Sequence, residues 1–379
     1  MIQKLFRRKK GNPESKKGIF NVLERKGTHS HLKSKKTHIR IKFHPQKSPA
    51  TKLAFLALGL ILGVLILGKI VNFFEGLSKP FSQDILTKRS YVWDGSFAIS
   101  IAFKGSSIWV LNYDPEEKKA IVLKIPEETY MDLPRGYGSW RVGSIYQLGQ
   151  EEIKSIGSEL LKESLAKLLG LPIDGFITLD QASNQDLDKI ILSLRSNPLA
   201  LINFIRNIRT DLTPLETVSL LRELAKVRSD KLVALNLEES NITKSKLLPD
   251  SSRVLGVDTV NLDLFIRDKM SDQKISQENL EVAIFNATTH PGLALDVARV
   301  VTNLGSNAII VSNSEDILQK SIVTSENNRN SLTFKRLSQI FAPDCFKKPC
   351  QASDPKIKNS RAQINIVLGE DYYNANYQR

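Results

Sequence analysis

The sequence contains few of the residues that most enzyme chemistry requires. Only five of its 379 residues are histidines, and four of these, His29, His31, His38 and His44, lie within the first 52 residues. Their spacing is irregular and matches no metal site. The fifth, His290, precedes a proline in a turn-like segment, so no Ser-His-Asp catalytic set is available. A glycine-rich phosphate-binding loop and an HExxH motif are also missing from the sequence.

Negative charge is scarce at the amino terminus. Residues 1–52 contain sixteen Lys and Arg residues but only Glu14 and Glu24, and this excess of fourteen equals the net charge of the whole chain. The remaining 327 residues are therefore neutral, which argues against nucleic-acid binding by the folded part. We predict that residues 1–52 form a basic, disordered tail that acts as a topology signal and is attracted to anionic lipid.

One long hydrophobic run follows the basic tail. Residues 53–68 carry no charge, and residues 69–74 extend the run to twenty-two residues, or about 33 Å of helix. This length exceeds the ~30 Å hydrocarbon core of a bilayer. A buried core helix and a cleaved signal peptide are the alternatives, but the run is apolar on every side and the 52-residue leader is too long for a signal peptide. We predict a single transmembrane helix at 53–74, with the amino terminus in the cytoplasm and the rest extracytoplasmic.

The exported part begins with a polar stalk at 75–94 and then alternates between strand and helix patterns. Apolar strand patterns occupy 95–103, 107–113 and 119–125, and an apolar stripe at helical spacing, which includes Ile153, predicts a helix at 152–169. A further strand at 174–180 follows Gly170 and Pro172, two residues typical of a helix end. This alternation predicts an α/β domain with a mixed sheet at 95–250.

A second, smaller α/β unit is predicted after a connector at 251–278. Its start has a strand at 280–286, a helix at 293–305 and a strand at 308–312, which is the pattern of a βαβ unit. Cys345 and Cys350, the chain's two cysteines, lie here, on the predicted exported side where thiols oxidise, and could close a small disulfide loop. With no further Cys or His nearby they do not suggest a zinc site.

Several of these segments resemble the LytR-CpsA-Psr (LCP) family of bacterial cell-envelope proteins. The pieces that resemble the catalytic domain are "SIWVLNYDPEEKKAIVLKIP", "RVGSIYQLGQ" and "LLGLPIDGFITLD", between residues 98 and 180. Residues 279–373 resemble the LytR carboxy-terminal domain, most clearly in "EVAIFNATTHPGLALDVARVVTNLG" and "RAQINIVLGEDYY". The resemblance implies transfer of a glycopolymer from a polyprenyl diphosphate carrier to peptidoglycan, which requires arginines and aspartate-bound Mg²⁺ around the diphosphate.

The chain departs from the family's motifs at the residues that would contact the diphosphate. Where the family presents Arg-x-Asp-Thr, this sequence has "KGSS", with Lys104 first and Ser106 in place of the aspartate. Glu127 and Glu128 stand where the family has Arg-Asp after the third strand. One unit charge about 4 Å from a phosphate is worth roughly 4 kcal/mol at an effective dielectric of 20, so this reversal disfavours diphosphate binding.

Two arrangements could compensate for this reversal of charge. Lys104, Arg135 and Arg141 could supply replacement cations, although an ordinary solvated loop charge is the favoured interpretation of all three. Glu127 and Glu128 could hold a divalent ion, but neighbouring residues on an extended strand point to opposite faces, which argues against joint ligation.

Three functional hypotheses follow from these observations. The first is an anchored envelope protein with a diverged, non-catalytic LCP-like domain that needs no cofactor and binds wall polymer, a lipid-linked intermediate or a protein partner. The second is a working Mg²⁺-dependent glycopolymer transferase with rearranged site residues that acts on peptidoglycan. The third is a signalling or assembly protein whose tail meets cytoplasmic partners.

Overall fold

The computed structural model describes most of the chain beyond residue 88, with several gaps. The described ranges are 89–179, 187–196, 204–240, 242–351 and 359–377, with a few single positions outside them. The predicted tail, most of the predicted stalk and nearly all of the predicted transmembrane segment at 53–74 lie outside these residues, so they stay predictions. Within the described residues, no helix combines the length and the apolar character that crossing a bilayer requires.

The first sheet has six strands in the order β7-β6-β1-β2-β3-β8 and mixes parallel and antiparallel pairs. The predicted meander forms its centre: β1 and β2 are antiparallel, as are β2 and β3. The mixed α/β class predicted from the sequence is therefore confirmed. The strands are β1 (Ile99–Lys104), β2 (Ile108–Asp114), β3 (Lys119–Ile125), β6 (Gly175–Leu179), β7 (Ile208–Thr210) and β8 (Leu232–Asn236), and a separate hairpin contains β4 (Tyr130–Asp132) and β5 (Ser139–Arg141).

The central strands are apolar on both faces because helices cover each side. Alternating residues separate into two cores: Ala102 pairs with Val110 on one face, and Ile101 pairs with Leu111 on the other. The first core packs against α1 (Val142–Gln150) and α2 (Gly157–Leu169), and the second packs against α3 (Leu187–Ser196) and α4 (Pro214–Leu224). A strand buried on both faces reads as a continuous apolar run, as this sequence does.

The helix predicted at 152–169 begins later than expected. The helical spacing predicts Ile153 on the apolar stripe of this helix. In the structure its side chain is fully exposed in the turn between α1 and α2. Ser155 in this turn has a φ of 49°, and a Cβ atom on Gly149 would lie 2.6 Å from the Cα of Gly157. The two helices therefore meet at a glycine contact that a continuous helix could not make. The predicted end is confirmed, because Gly170 adopts the left-handed conformation that terminates α2.

The segment predicted as a connector, 251–278, contains regular structure. Strand β9 (Thr243–Leu247) forms a hairpin with β10 (Arg253–Val257), and two helices follow, α5 (Thr259–Met270) and α6 (Gln273–Glu278). Leu262 of α5 belongs to an apolar core that also includes residues of both main sheets. The two sheets therefore share a core through this segment.

The second sheet has four strands in the order β12-β11-β14-β13. The predicted βαβ unit is confirmed, since β11 and β12 are parallel and α7 connects them. The strands are β11 (Glu281–Asn286), β12 (Asn307–Asn313), β13 (Ile322–Thr324) and β14 (Ile364–Leu368), and the helices are α7 (Leu293–Asn303), α8 (Leu332–Phe341), α9 (Pro343–Lys347) and α10 (Glu370–Asn376).

Candidate functional site

The acidic pair that departs from the family motif lies in an exposed turn after β3. The Thr129 amide donates to the Pro126 carbonyl across 3.1 Å, and both Glu127 and Glu128 are solvent-exposed. The expectation that the two glutamates occupy an extended strand is wrong, because Pro126 ends the strand and the chain turns at once. A ligand that approaches the turn after β3 would therefore meet two exposed carboxylates.

Glu127 also supports the start of α1. Its carbonyl accepts a hydrogen bond from the Gly143 amide at 3.0 Å, and a Cβ atom on Gly143 would lie 2.8 Å from the Glu127 Cβ. The glutamate side chain therefore crosses the first turn of the helix, and the Arg141 side chain makes no capping hydrogen bond there. A carboxylate at a helix amino terminus is favoured by the helix dipole. The packing against Gly143 places the Glu127 carboxylate beside the amino terminus of α1.

The three cations considered as replacements lie in different surroundings. Lys104 donates to the neighbouring Gly105 carbonyl, and Arg141 reaches the carbonyl of Arg253 at 3.4 Å. Arg135 is buried against α2, where its guanidinium makes two hydrogen bonds to Glu163, of 2.5 and 2.7 Å. Within the described part of the chain these three side chains share no contact partner. Ser106, at the position of the family's aspartate, is exposed in the turn between β1 and β2.

A cavity lies where the two sheets meet. This cleft, which we call the junction cleft, has a volume of about 470 Å³ and is lined by residues of α2, α7, α8 and α10, by the loop after α2 and by residues 89–91. Its volume falls within the range of about 300–1,000 Å³ that is usual for ligand pockets. The described residues that line the junction cleft do not include Lys104, Arg135 or Arg141.

The cations of the junction cleft are already paired with carboxylates. Five carboxylates and four cations line it, so its described lining is close to neutral. Each cation contacts a carboxylate: the pairs are Arg89 with Glu216, Lys162 with Asp211, Lys167 with Asp132, and Arg299 with Asp263. A diphosphate entering the cleft would therefore compete with carboxylates for every one of these cations.

A buried cation joins the second sheet's α8 to the first domain. Arg336 has a side chain only 1% exposed, and it contacts Asp174 at 2.7 Å and the Tyr91 hydroxyl at 2.8 Å. Its guanidinium also lies 4.1 Å from the centre of the Phe97 ring. Tyr91 donates its own hydrogen bond to Asp174, and burial raises the pKa of Tyr91. These contacts hold the buried Arg336 charge beside Asp174 and Tyr91, two residues that line the cleft.

Aromatic rings form another part of the cleft wall. Tyr377 donates to Asp296 at 2.9 Å, and its ring is parallel to that of Tyr373 at a centroid distance of 5.7 Å. Tyr372 packs against Phe341 at 5.6 Å. Burial raises the pKa of both Tyr372 and Tyr377, with the Asp296 charge adding to the effect, so both hydroxyls stay protonated at neutral pH.

An amide oxygen beside the cleft lacks a partner. Gln339, on α8, lines the cleft, and its Oε1 atom is buried without a hydrogen bond in the structure. Most buried polar atoms are satisfied, so this oxygen is an exception, although it is enclosed by protein and not open to the cleft. Sequence reasoning missed Gln339, Arg336 and the cleft tyrosines, and the tyrosine-rich ending "DYYNANY" was the one available signal.

The remaining predicted site residues form a disulfide. Cys345 and Cys350 are bonded to each other, and Cys345 is fully buried in the core of the second sheet. The bond closes the loop "CFKKPC", which follows the cleft residues Phe341 and Pro343 along the chain.

The carboxy-terminal part of the chain matches a known family. Residues 279–372 match the model of the LytR cell envelope-related transcriptional attenuator, so the predicted resemblance of this segment to the LytR carboxy-terminal domain is confirmed. The match covers 94 of the 379 residues and supports a LytR-type cell-envelope protein. No curated protein sequence matches the chain.

Several solved structures share partial similarity with this chain. TagT of Bacillus subtilis has 14% identity and a TM-score of 0.36, over 51% of this chain and 99% of TagT. TagV of Bacillus subtilis has 16% identity and a TM-score of 0.34, over 44% of this chain and 93% of TagV. A structure of TagT bound to LI-WTA has 12% identity and a TM-score of 0.36, over 51% of this chain and 98% of that one. These values are too low to support a functional inference.

Proposed function

We propose that this protein is a membrane-anchored cell-envelope protein whose LCP-like domain is non-catalytic and binds wall polymer, a lipid-linked intermediate or a protein partner. The match of residues 279–372 to a LytR-type family supports the envelope assignment. The anchor and the extracytoplasmic location rest on the hydrophobic run at 53–74 and on the basic residues that precede it.

The observation that carries the non-catalytic role is the distribution of charge. The turn after β3 presents Glu127 and Glu128 to solvent, at the positions where the family has arginine and aspartate. The cations of the junction cleft are paired with carboxylates instead of being directed at a ligand. Stabilising a diphosphate leaving group requires cations placed where negative charge develops, and neither surface offers such an arrangement.

The residues at the motif positions also fit Mg²⁺ poorly. Mg²⁺ requires oxygen ligands in near-octahedral geometry. Here Ser106, which carries no carboxylate, replaces one aspartate, and Glu128 stands in place of the other. Among the described residues there is no group of three or more His, Cys, Asp or Glu side chains that could hold a metal ion. We therefore assign no step to a metal.

A paired assay tests the proposal. The full chain, in detergent micelles, is incubated with a polyprenyl-diphosphate-linked glycopolymer, peptidoglycan and Mg²⁺, with an active transferase of the family as positive control. We expect no release of polyprenyl diphosphate, and we expect the chain to cosediment with peptidoglycan or with the polymer. Release of polyprenyl diphosphate that depends on Mg²⁺ would contradict the proposal and would establish a transferase instead.

A further inference from the structure

Exposed apolar and basic side chains surround the point where the chain enters its folded part. Two segments border this point: the start of α4, with Leu215, and the disulfide loop 345–350, with Phe346. We infer that these two segments, which we call the lipid face, rest on the surface of the bilayer and contact anionic lipid. The inference rests on the proposed function, because it requires a chain that is anchored through residues 53–74.

The folded part begins between α4 and α8. Arg89 donates two hydrogen bonds to Glu216 of α4, of 2.5 and 2.7 Å. The centre of the Tyr91 ring lies 5.1 Å from the Arg89 guanidinium carbon and 5.4 Å from that of Arg336 on α8. Only residues 75–88 separate this entry point from the predicted span, and fourteen residues extend over at most about 50 Å. The tether therefore keeps the segments that border Arg89 close to the bilayer.

The start of α4 exposes an apolar pair next to the carboxylate that holds the entering chain. Leu215 and Val218 are each more than half exposed, and residues three apart share one side of a helix. Nearer the end of α4, Glu223 contacts both Arg222 and Lys226, which leaves one excess positive charge. An apolar stripe beside cations is typical of a helix that lies in the bilayer interface.

The disulfide loop lies on the other side of the entry point. Pro343, two residues before the loop, lines the junction cleft together with Arg89. Cys345 is fully buried, and its bond to Cys350 fastens both ends of the loop to the core of the second sheet. The loop is therefore presented at a fixed position beside the entering chain.

The side chains of the disulfide loop suit a lipid surface. Phe346, Lys347 and Lys348 are all exposed. The adjacent carboxylate, Asp344, contacts Lys320 at 3.0 Å, so its charge is balanced outside the loop. An aromatic ring can enter the boundary between headgroups and acyl chains, while the two lysines contact anionic headgroups.

A strand of similar composition at the opposite end of the first sheet provides a matched control. Asp174, beside the entry point, directly precedes β6, whereas the Leu255 amide of the β9–β10 hairpin donates to the Glu128 carbonyl after β3. Strands β3 and β6 both run in the direction of β1, so the entry point and the hairpin are separated by the length of these strands, about 20 Å. Strand β9 exposes one apolar and two basic side chains, Leu247, Lys244 and Lys246.

Quenching of tryptophan fluorescence by brominated lipid tests this inference. The full chain is placed in nanodiscs of phosphatidylglycerol and phosphatidylcholine, with or without bromine on the acyl chains, and the signal of the wild type is subtracted. Phe346→Trp and Leu215→Trp report on the lipid face, and Leu247→Trp is the control. Bromine quenches by contact, and interfacial side chains reach the acyl boundary, so we expect at least about twofold quenching in both reporters and none in the control.

Charge reversal tests the role of the loop lysines. In the Phe346→Trp chain, the double change Lys347→Glu and Lys348→Glu should reduce the quenching at least about twofold, because anionic lipid attracts each cation near its surface. The double change Lys244→Glu and Lys246→Glu is the matched control and should leave the quenching unchanged. Nanodiscs of phosphatidylcholine alone should reduce the quenching without any change in the protein, and near-ultraviolet circular dichroism checks that each variant is folded.

The outcomes separate the lipid face from the proposed function. Quenching of both reporters that weakens without phosphatidylglycerol, together with an unquenched control, would support the inference. An unquenched reporter, equal quenching of all three tryptophans, or quenching that is independent of phosphatidylglycerol would overturn it. A chain that copurifies with nanodiscs but shows unquenched reporters would refute the lipid face alone, whereas a chain that does not enter nanodiscs would refute the anchor and the lipid face together.

Discussion

Charged groups serve different purposes at the turn after β3 and at the junction between the two sheets. At the turn, Glu127 and Glu128 are exposed and face solvent. At the junction, Arg336 is buried against Asp174, and each cation lining the cleft contacts a carboxylate. The difference indicates that Arg336 and Arg299 hold the two sheets together at the junction, while the charge left for a ligand after β3 is negative.

The largest expected effect comes from removing the buried cation of the junction. Arg336→Met leaves the Asp174 carboxylate buried without its partner, which typically costs about 3–5 kcal/mol of the free energy of unfolding. Denaturant unfolding of the full chain measures this, and Lys335→Met, at the exposed neighbouring position on α8, is the control. If Arg336→Met were as stable as Lys335→Met, the buried pair of Arg336 and Asp174 would not stabilise the fold. Adding Asp174→Asn to Arg336→Met should restore part of the loss, because it removes the unpaired charge.

A smaller effect is expected from crowding the junction at a glycine. Gly170 has a φ of 61°, and a Cβ atom there would lie 2.6 Å from the Asn303 Nδ2 atom and 3.0 Å from the Arg299 guanidinium carbon. Gly136 has a φ of 74°, with no atom within 4 Å of its Cβ position. Both alanine variants pay the cost of a left-handed backbone, about 1 kcal/mol, but Gly170→Ala should lose roughly a further 1–3 kcal/mol by overpacking. Equal losses of stability in the two variants would show that the close packing of Arg299 and Asn303 is unimportant.

The smallest effect concerns the helix that carries the cleft tyrosines. Hydrogen bonds from Thr289, mainly from its backbone amide, and the neighbouring His290 hold the pKa of Glu370 below its ordinary value of 4.5. A carboxylate with a lowered pKa in the folded state stabilises the protein above pH 4.5 and loses this contribution as the pH falls through the folded value. Glu370→Gln should therefore lower the melting temperature at pH 7 and have less effect at pH 3, with Glu326→Gln as a surface control. If Glu370→Gln lowered the melting temperature equally at pH 7 and at pH 3, the ionised Glu370 carboxylate would not be the source of the stabilisation.

The sequence predicts the fold better than it predicts the cleft. Apolar runs predicted the central meander and the βαβ unit, because a strand buried on both faces is a continuous apolar run in the sequence. The start of α2 was missed since the apolar spacing of Ile153 continues a helical stripe, and only the close contact of Gly149 with Gly157 requires a turn there. The contact of Arg336 with Asp174 and the position of Gln339 in the cleft could not be predicted, because both depend on how the two sheets pack.

Binding of a polyprenyl diphosphate to the full chain in nanodiscs, with and without Mg²⁺, tests the charge argument most directly. Glu127→Arg is the matched variant, because it restores the family's cation at the turn after β3. We expect weak, Mg²⁺-independent binding by the wild type and tighter binding by the variant, since reversing one nearby charge changes the interaction by several kcal/mol before screening. Tight, Mg²⁺-dependent binding by the wild type would contradict the account.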